Sequence, residues 1–151
     1  MNKFSFELEV SKVETIKEDE DKFVEDSFEG KRILVAEDYE PNQLLISFIL
    51  DEMNIDAVIA EDGLRAQEIF KEHKFDMVLM DINMPNKNGI DAMKDIKDFE
   101  KKSDSFTPIV ALTANAVGGD KEKFLDEGFD DYLAKPIDTQ ELIKICHKFF
   151  D

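Results

Sequence analysis

The stretch VLMDINMP, Val78 to Pro85, begins with three residues suited to a protein interior, reaches an acid at Asp81 and meets a proline four positions later. A short apolar run closed by turn-forming residues reads as a strand covered on both faces. Pro85 and Gly89 then shape a loop and start a helix. The question is whether this strand-loop-helix unit stands alone.

It does not. RILVA and IDAVIA precede it and PIVALT and DYLA follow it; with FDMVLM they make five short apolar runs rich in strand-forming residues. Helical patterns lie between them. Leu44, Leu45, Phe48, Ile49 and Met53 follow Pro41 at a helix start; Ala66, Ile69 and Phe70 follow Asp62; Ile90, Met93 and Ile96 mark the third. A short fourth helix near Lys121 to Glu127 stops at Gly128, and the last carries Leu142, Ile143, Ile145, Cys146 and Phe149. This alternation predicts an α/β chain, (βα)5, with an open parallel sheet, right-handed crossovers and helices on both faces.

The chain's 151 residues suit one domain and a short appendage. Its net charge of −17 repels the phosphates of nucleic acid and the anionic face of a membrane, so neither is an expected partner. A single cysteine, Cys146, excludes an intrachain disulfide. No apolar run approaches the roughly 20 residues of a membrane span, and no signal-peptide pattern opens the chain, so the expectation is a soluble, cytoplasmic protein.

Residues 1–30 differ from the rest, with four lysines against ten acids. Such a segment buries too little apolar surface to offset its ordering entropy, and it reads as an acidic extension or linker preceding a domain over 31–151. Within it, FSFELEV (Phe4 to Val10) alternates like a half-buried strand.

In a parallel sheet, the residues that follow each strand gather along one edge, where ligands bind. Glu37 and Asp38 follow the first strand, Asp81 the third, Thr113 ends the fourth, and Lys135 and Pro136 follow the fifth. Singly, each has an ordinary explanation: Asp38 could cap the next helix, Thr113 could be a plain strand residue, and Lys135 a solvated one. Five polar groups converging on one crevice are harder to explain that way. Crowded carboxylates repel, and one must stay protonated unless a cation lies among them. Oxygen ligands without His or Cys select a hard ion, Mg²⁺ in a cell. His73 closes the second helix and His147 lies in the last one, and both read as structural or solvated residues rather than ligands. Mg²⁺ and Lys135 would neutralise phosphoryl oxygens, Thr113 would donate to one of them, and Asp81 would be the attacking carboxylate.

From about Lys31 to Phe150, through ILVAED, VLMDINMPNKNG, IVALTA and DYLAKP in that order, the chain resembles the receiver domain of two-component response regulators. The resemblance implies a flavodoxin-like three-layer sandwich with strand order 2-1-3-4-5. It also implies a phosphorelay role, with self-catalysed transfer from a phosphohistidine to Asp81 and no wider enzymatic activity in this segment. Glu37, Asp38, Asp81 and the main-chain carbonyl of Asn83 would hold Mg²⁺. Thr113 and Tyr132 would form the switch, and the Lys135–Pro136 bond is expected to be cis. Implied partners are a histidine kinase core or a histidine phosphotransfer domain, and a second receiver through the face of helix 4, strand 5 and helix 5.

The wording ALTANA with DDYLAKPI is most similar to receivers of hybrid histidine kinases, and FSFELEV is similar to the last strand of a kinase ATP-binding domain. On that reading the chain is the receiver of a larger kinase whose other parts could anchor it to a membrane; a free-standing receiver is the alternative. A haloacid-dehalogenase-like phosphatase would need an acid two residues after the nucleophile, where Asn83 stands. A receiver-like binding module without phosphorylation is the third reading.

Overall fold

The computed structural model describes residues 27–114 and 120–151. The expected strand in Phe4 to Val10 and most of the acidic extension lie outside them. Five strands alternate with five helices: β1 (Arg32–Ala36), α1 (Glu40–Glu52), β2 (Asp56–Ala60), α2 (Gly63–Glu72), β3 (Met77–Asp81), α3 (Gly89–Ser103), β4 (Ile109–Thr113), α4 (Asp120–Glu127), β5 (Asp131–Ala134) and α5 (Thr139–Phe150). All pairings are parallel and the order across the sheet is β2-β1-β3-β4-β5. This is the expected flavodoxin-like arrangement.

The strands are apolar on both faces because both faces are covered. Ile33, Val35, Leu79, Val110 and Leu112 pack against α1 and α5, while Leu34, Val78, Met80, Ile109 and Ala111 pack against α2, α3 and Phe124 of α4. Alternate residues of one strand thus serve two cores. Phe28, ahead of the first strand, is also buried; its ring meets those of His147 and Phe150 edge-on, and its N–H donates to the Met53 carbonyl at 2.9 Å.

Helix α1 departs from its sequence pattern. Leu44 and Phe48 are 65% and 64% exposed and Leu45 40%, whereas Ile46, Ile49, Leu50 and Met53 form the buried side. The helix is apolar on more than one face, so period alone does not choose which face the sheet covers. A stripe one turn long, Leu44 and Phe48, is left facing outward.

Candidate functional site

Register brings the strand ends level. Ala36 lies beside Met80, Asp81 beside Leu112 and Thr113 beside Ala134, so the next residue of each chain segment emerges at one edge. Glu37 is fully buried there: its N–H donates to the Ala60 carbonyl at 3.0 Å, its carbonyl accepts from Gln43 Nε2 at 2.6 Å and its Oε2 accepts from the Tyr39 N–H at 3.1 Å. Gln43, not singled out in the sequence, pins that strand end to α1. No spacing rule would have flagged a glutamine in a helix's first turns.

Asp38 is exposed, and it does not cap the helix: the cap position of α1 is Tyr39, which makes no side-chain cap. Asp81 is buried at the end of β3. One ligand oxygen from each of Glu37, Asp38 and Asp81 can be chosen so that all lie within 4.8 Å of one another. Opposite them, Lys135 Nζ stands 2.8 Å from Glu37 Oε1 and 2.9 Å from Asp81 Oδ2. Beyond this ion pair with Lys135, Glu37 Oε1 is a buried carboxylate oxygen with acceptor capacity to spare.

The electrostatics follow from this crowding. Burial pushes the Asp81 carboxyl up to about 6; Lys135 opposes the shift and the neighbouring Glu37 charge adds to it. For Lys135, burial works against the charge, but the two carboxylates outweigh it and hold the ammonium above its ordinary range. Asp81 thus holds its proton chiefly because it is buried, and Lys135 holds its own because two carboxylates face it. A divalent ion would relieve the crowding of acids, and the donor set, all oxygen, fits a hard one.

Thr113 is buried at the end of β4, and its carbonyl accepts from the Lys135 N–H at 2.8 Å. The Lys135–Pro136 bond is cis. Tyr132, on edge strand β5, is partly buried against the α2–α3 side core. After Asp81 the chain folds tightly back: the Asn83 N–H points to Asp81 Oδ1 at 3.4 Å, and Gly89 N–H donates to the Ile82 carbonyl at 2.9 Å. A Cβ on Gly89 would stand 2.0 Å from the Asp81 carbonyl oxygen, so only glycine permits this approach. Neither histidine lines the crevice, and the Cys146 thiol, pushed up to about 12 by burial, is no nucleophile.

A flavodoxin-like sheet with an acid pair, a further carboxylate and a lysine at one edge defines a phosphoacceptor class. The chain belongs to the response regulator receiver domain family, whose description matches residues 33–147. It is 42% identical over 122 residues to hybrid signal transduction histidine kinase I of Dictyostelium discoideum, covering 78% of this chain and 7% of that one. It is 37% identical over 124 residues to sensor protein GacS of Pseudomonas syringae, covering 82% and 14%. With aerobic respiration control sensor protein ArcB of Escherichia coli it shares 32% over 149 residues, 97% and 19%. The chain therefore spans between 7% and 19% of the length of these relatives.

Among solved structures, the receiver domain of Ssk1 of Saccharomyces cerevisiae, co-crystallised with histidine phosphotransfer protein Ypd1, superposes with TM-score 0.73 at 35% identity, covering 81% of this chain and 90% of that one. The receiver domain of a sensor histidine kinase of Pseudomonas aeruginosa, with magnesium in its active-site cleft, gives 0.71 at 36%, covering 80% and 97%. The chain is thus a receiver domain of two-component phosphorelay signalling, of the kind carried by hybrid sensor kinases. Among the described residues no helix is long and apolar enough to cross a membrane.

Proposed function

We propose that Asp81 is the phosphoacceptor, with Lys135 and Thr113 as its catalytic companions and Glu37, Asp38, Asp81 and the Asn83 carbonyl as the ligands of Mg²⁺. The observation that carries the reading is the convergence of Glu37 and Asp81 on the Lys135 ammonium, at 2.8 and 2.9 Å, in a crevice crowded with acids. An Asp81 carboxylate oxygen attacks the phosphorus of a phosphohistidine. The P–O bond forms, the P–N bond breaks, and the imidazole nitrogen leaves with the electron pair. Mg²⁺ held by those ligands would supply positive charge to the transferred group. Lys135 holds one phosphoryl oxygen, and the Thr113 hydroxyl donates to another. The drawing-in of Thr113 frees space that Tyr132 follows into, shifting the population of forms presented by α4, β5 and α5. This is also the face proposed for contact with a second receiver, since β5 is the sheet's edge strand.

The phosphodonor is a histidine phosphotransfer domain or kinase core, docked beside the crevice on the outward stripe of α1. Leu44 and Phe48 are the support: large apolar side chains, well exposed, on a helix that starts at Glu40, two residues after Asp38. The Ssk1 receiver's co-crystal with a histidine phosphotransfer protein is consistent with such a partner. The parent protein is proposed to be a hybrid histidine kinase. Supporting this, the match to ArcB covers 97% of the chain and so reaches into the stretch ahead of the receiver.

Incubation with Mg²⁺ and acetyl phosphate should add one phosphoryl group, read by mass spectrometry, and Asp81→Asn should abolish it. An unchanged mass at saturating donor would favour a pure binding module; repeated turnover of p-nitrophenyl phosphate would favour a phosphatase.

A further inference from the structure

We infer that Asp62, at the tip between β2 and α2, is a positioning residue for the metal site: it clamps Asn86 and thereby sets the loop that carries Asn83. The inference rests on the reading of Asn83 as a ligand given above.

Asp62 begins as an ordinary cap. Its backbone is extended and its Oδ1 accepts from the Arg65 N–H at 2.7 Å, which satisfies one of the orphan donors at the start of α2. A cap needs only one oxygen. The second, Oδ2, accepts from Asn86 Nδ2 at 2.7 Å, across 24 residues of sequence, and the side chain is buried while doing so. A serine would cap as well but has no second oxygen for Asn86.

Asn86 needs holding. It sits at φ +65°, left-handed backbone, within a three-residue turn in which the Lys87 N–H donates to the Pro85 carbonyl at 2.6 Å. Such a turn persists where its surroundings impose it. Asp62 grips its apex, and beside that grip the Lys87 carbonyl lies directly on Gly63, where a Cβ would stand 2.2 Å from the oxygen. At its other end the loop is seated by Gly89 against the Asp81 carbonyl. Between Asp81 and the gripped Asn86 lie Ile82, Asn83, Met84 and Pro85. The position of the Asn83 backbone is therefore set from both sides, one belonging to the active strand and one borrowed from the neighbouring β2–α2 tip.

Outer hydrogen bonds of this kind orient ligands and change metal affinity without touching the ion. Asp62→Ser keeps the cap and removes the clamp. Asn86→Asp keeps a residue tolerant of left-handed backbone but sets two carboxylates against each other. Adding Asp62→Asn to Asn86→Asp exchanges the partners: the new amide still accepts from the Arg65 N–H and now donates to the carboxylate at 86, with the same net charge as the original pair.

The test is calorimetric titration of the metal-free protein with Mg²⁺ alone, with thermal unfolding in EDTA alongside. Asp62→Ser and Asn86→Asp should each weaken Mg²⁺ by about tenfold, with the EDTA unfolding midpoint of Asp62→Ser close to that of the original protein; the exchanged pair should recover most of the affinity. If Asp62→Ser unfolds, Asn86→Asp and the exchange still decide. Binding of Mg²⁺ to both single variants as tightly as to the original protein would overturn the clamp, and so would an exchanged pair as weak as the singles. No Mg²⁺ binding to the original protein would overturn the metal-site reading itself.

Discussion

Two acids are buried at opposite ends of the sheet, and their surroundings differ in kind. Glu100, near the end of α3, receives the Thr107 N–H at 3.0 Å on one oxygen and the Thr107 hydroxyl at 2.6 Å on the other, with Ser105 Oγ at 3.4 Å. Its acceptors are met by groups a few residues away, and it ties α3 to the start of β4. Asp81 shares one ammonium with Glu37, has Asp38 close by, and is pushed up to about 6. Glu100 is saturated by local donors, whereas Asp81 is left among more acids than its lysine can pair, so that an incoming cation would improve the site, as the proposed role requires.

The largest expected effect is at the reactive end. Lys135→Ala should slow phosphorylation by acetyl phosphate by about a hundredfold, measured by mass spectrometry against time, because one of the two positive groups opposing the transferred charge is lost. Glu100→Gln should leave that rate unchanged. At the other end, Glu100→Ala should lower stability by about 2–3 kcal/mol in denaturant unfolding, since the buried Thr107 donors lose their acceptor.

The third prediction turns on pH. The folded protein holds Asp81's proton more tightly than the unfolded chain, so in metal-free solution this group's contribution to stability declines as pH rises from about 4 to about 7 and is flat above. Asp81→Asn should therefore be more stable than the original protein by about 1–3 kcal/mol at pH 8 in EDTA, the gap closing toward pH 4. Glu100→Gln should show no such gain. A gap that widens on acidification would break the contrast. The smallest stability effect is expected for Phe48→Ser, within about 0.5 kcal/mol at this exposed position; it should slow transfer from a phosphohistidine protein while leaving the acetyl phosphate rate intact.

Much of the site was legible because parallel topology makes strand ends converge: once RILVA, FDMVLM, PIVALT and DYLA are strands, Glu37, Asp38, Asp81, Thr113 and Lys135 share an edge. The helices were legible in position but not always in orientation. Met93 and Ile96 of α3 and Leu142 and Cys146 of α5 are buried as their period indicated, whereas Leu44 and Phe48 of α1 are not. Polar pairs that join different segments left no trace at all. Nothing in the spacing of Asp62 and Asn86, or of Gln43 and Glu37, indicates a hydrogen bond, because neither pair shares an element or a period.

By itself, then, the amino-acid order determined the alternation of strand and helix and which chemical groups stand at the strand ends, since both follow from local pattern and chain direction. Only the folded molecule decided which side of α1 faces the sheet, which carboxylates the lysine touches and which loop grips which. Those are matters of distance between segments remote in sequence, settled where backbones meet, as Gly89 meets the Asp81 carbonyl and Gly63 meets Lys87.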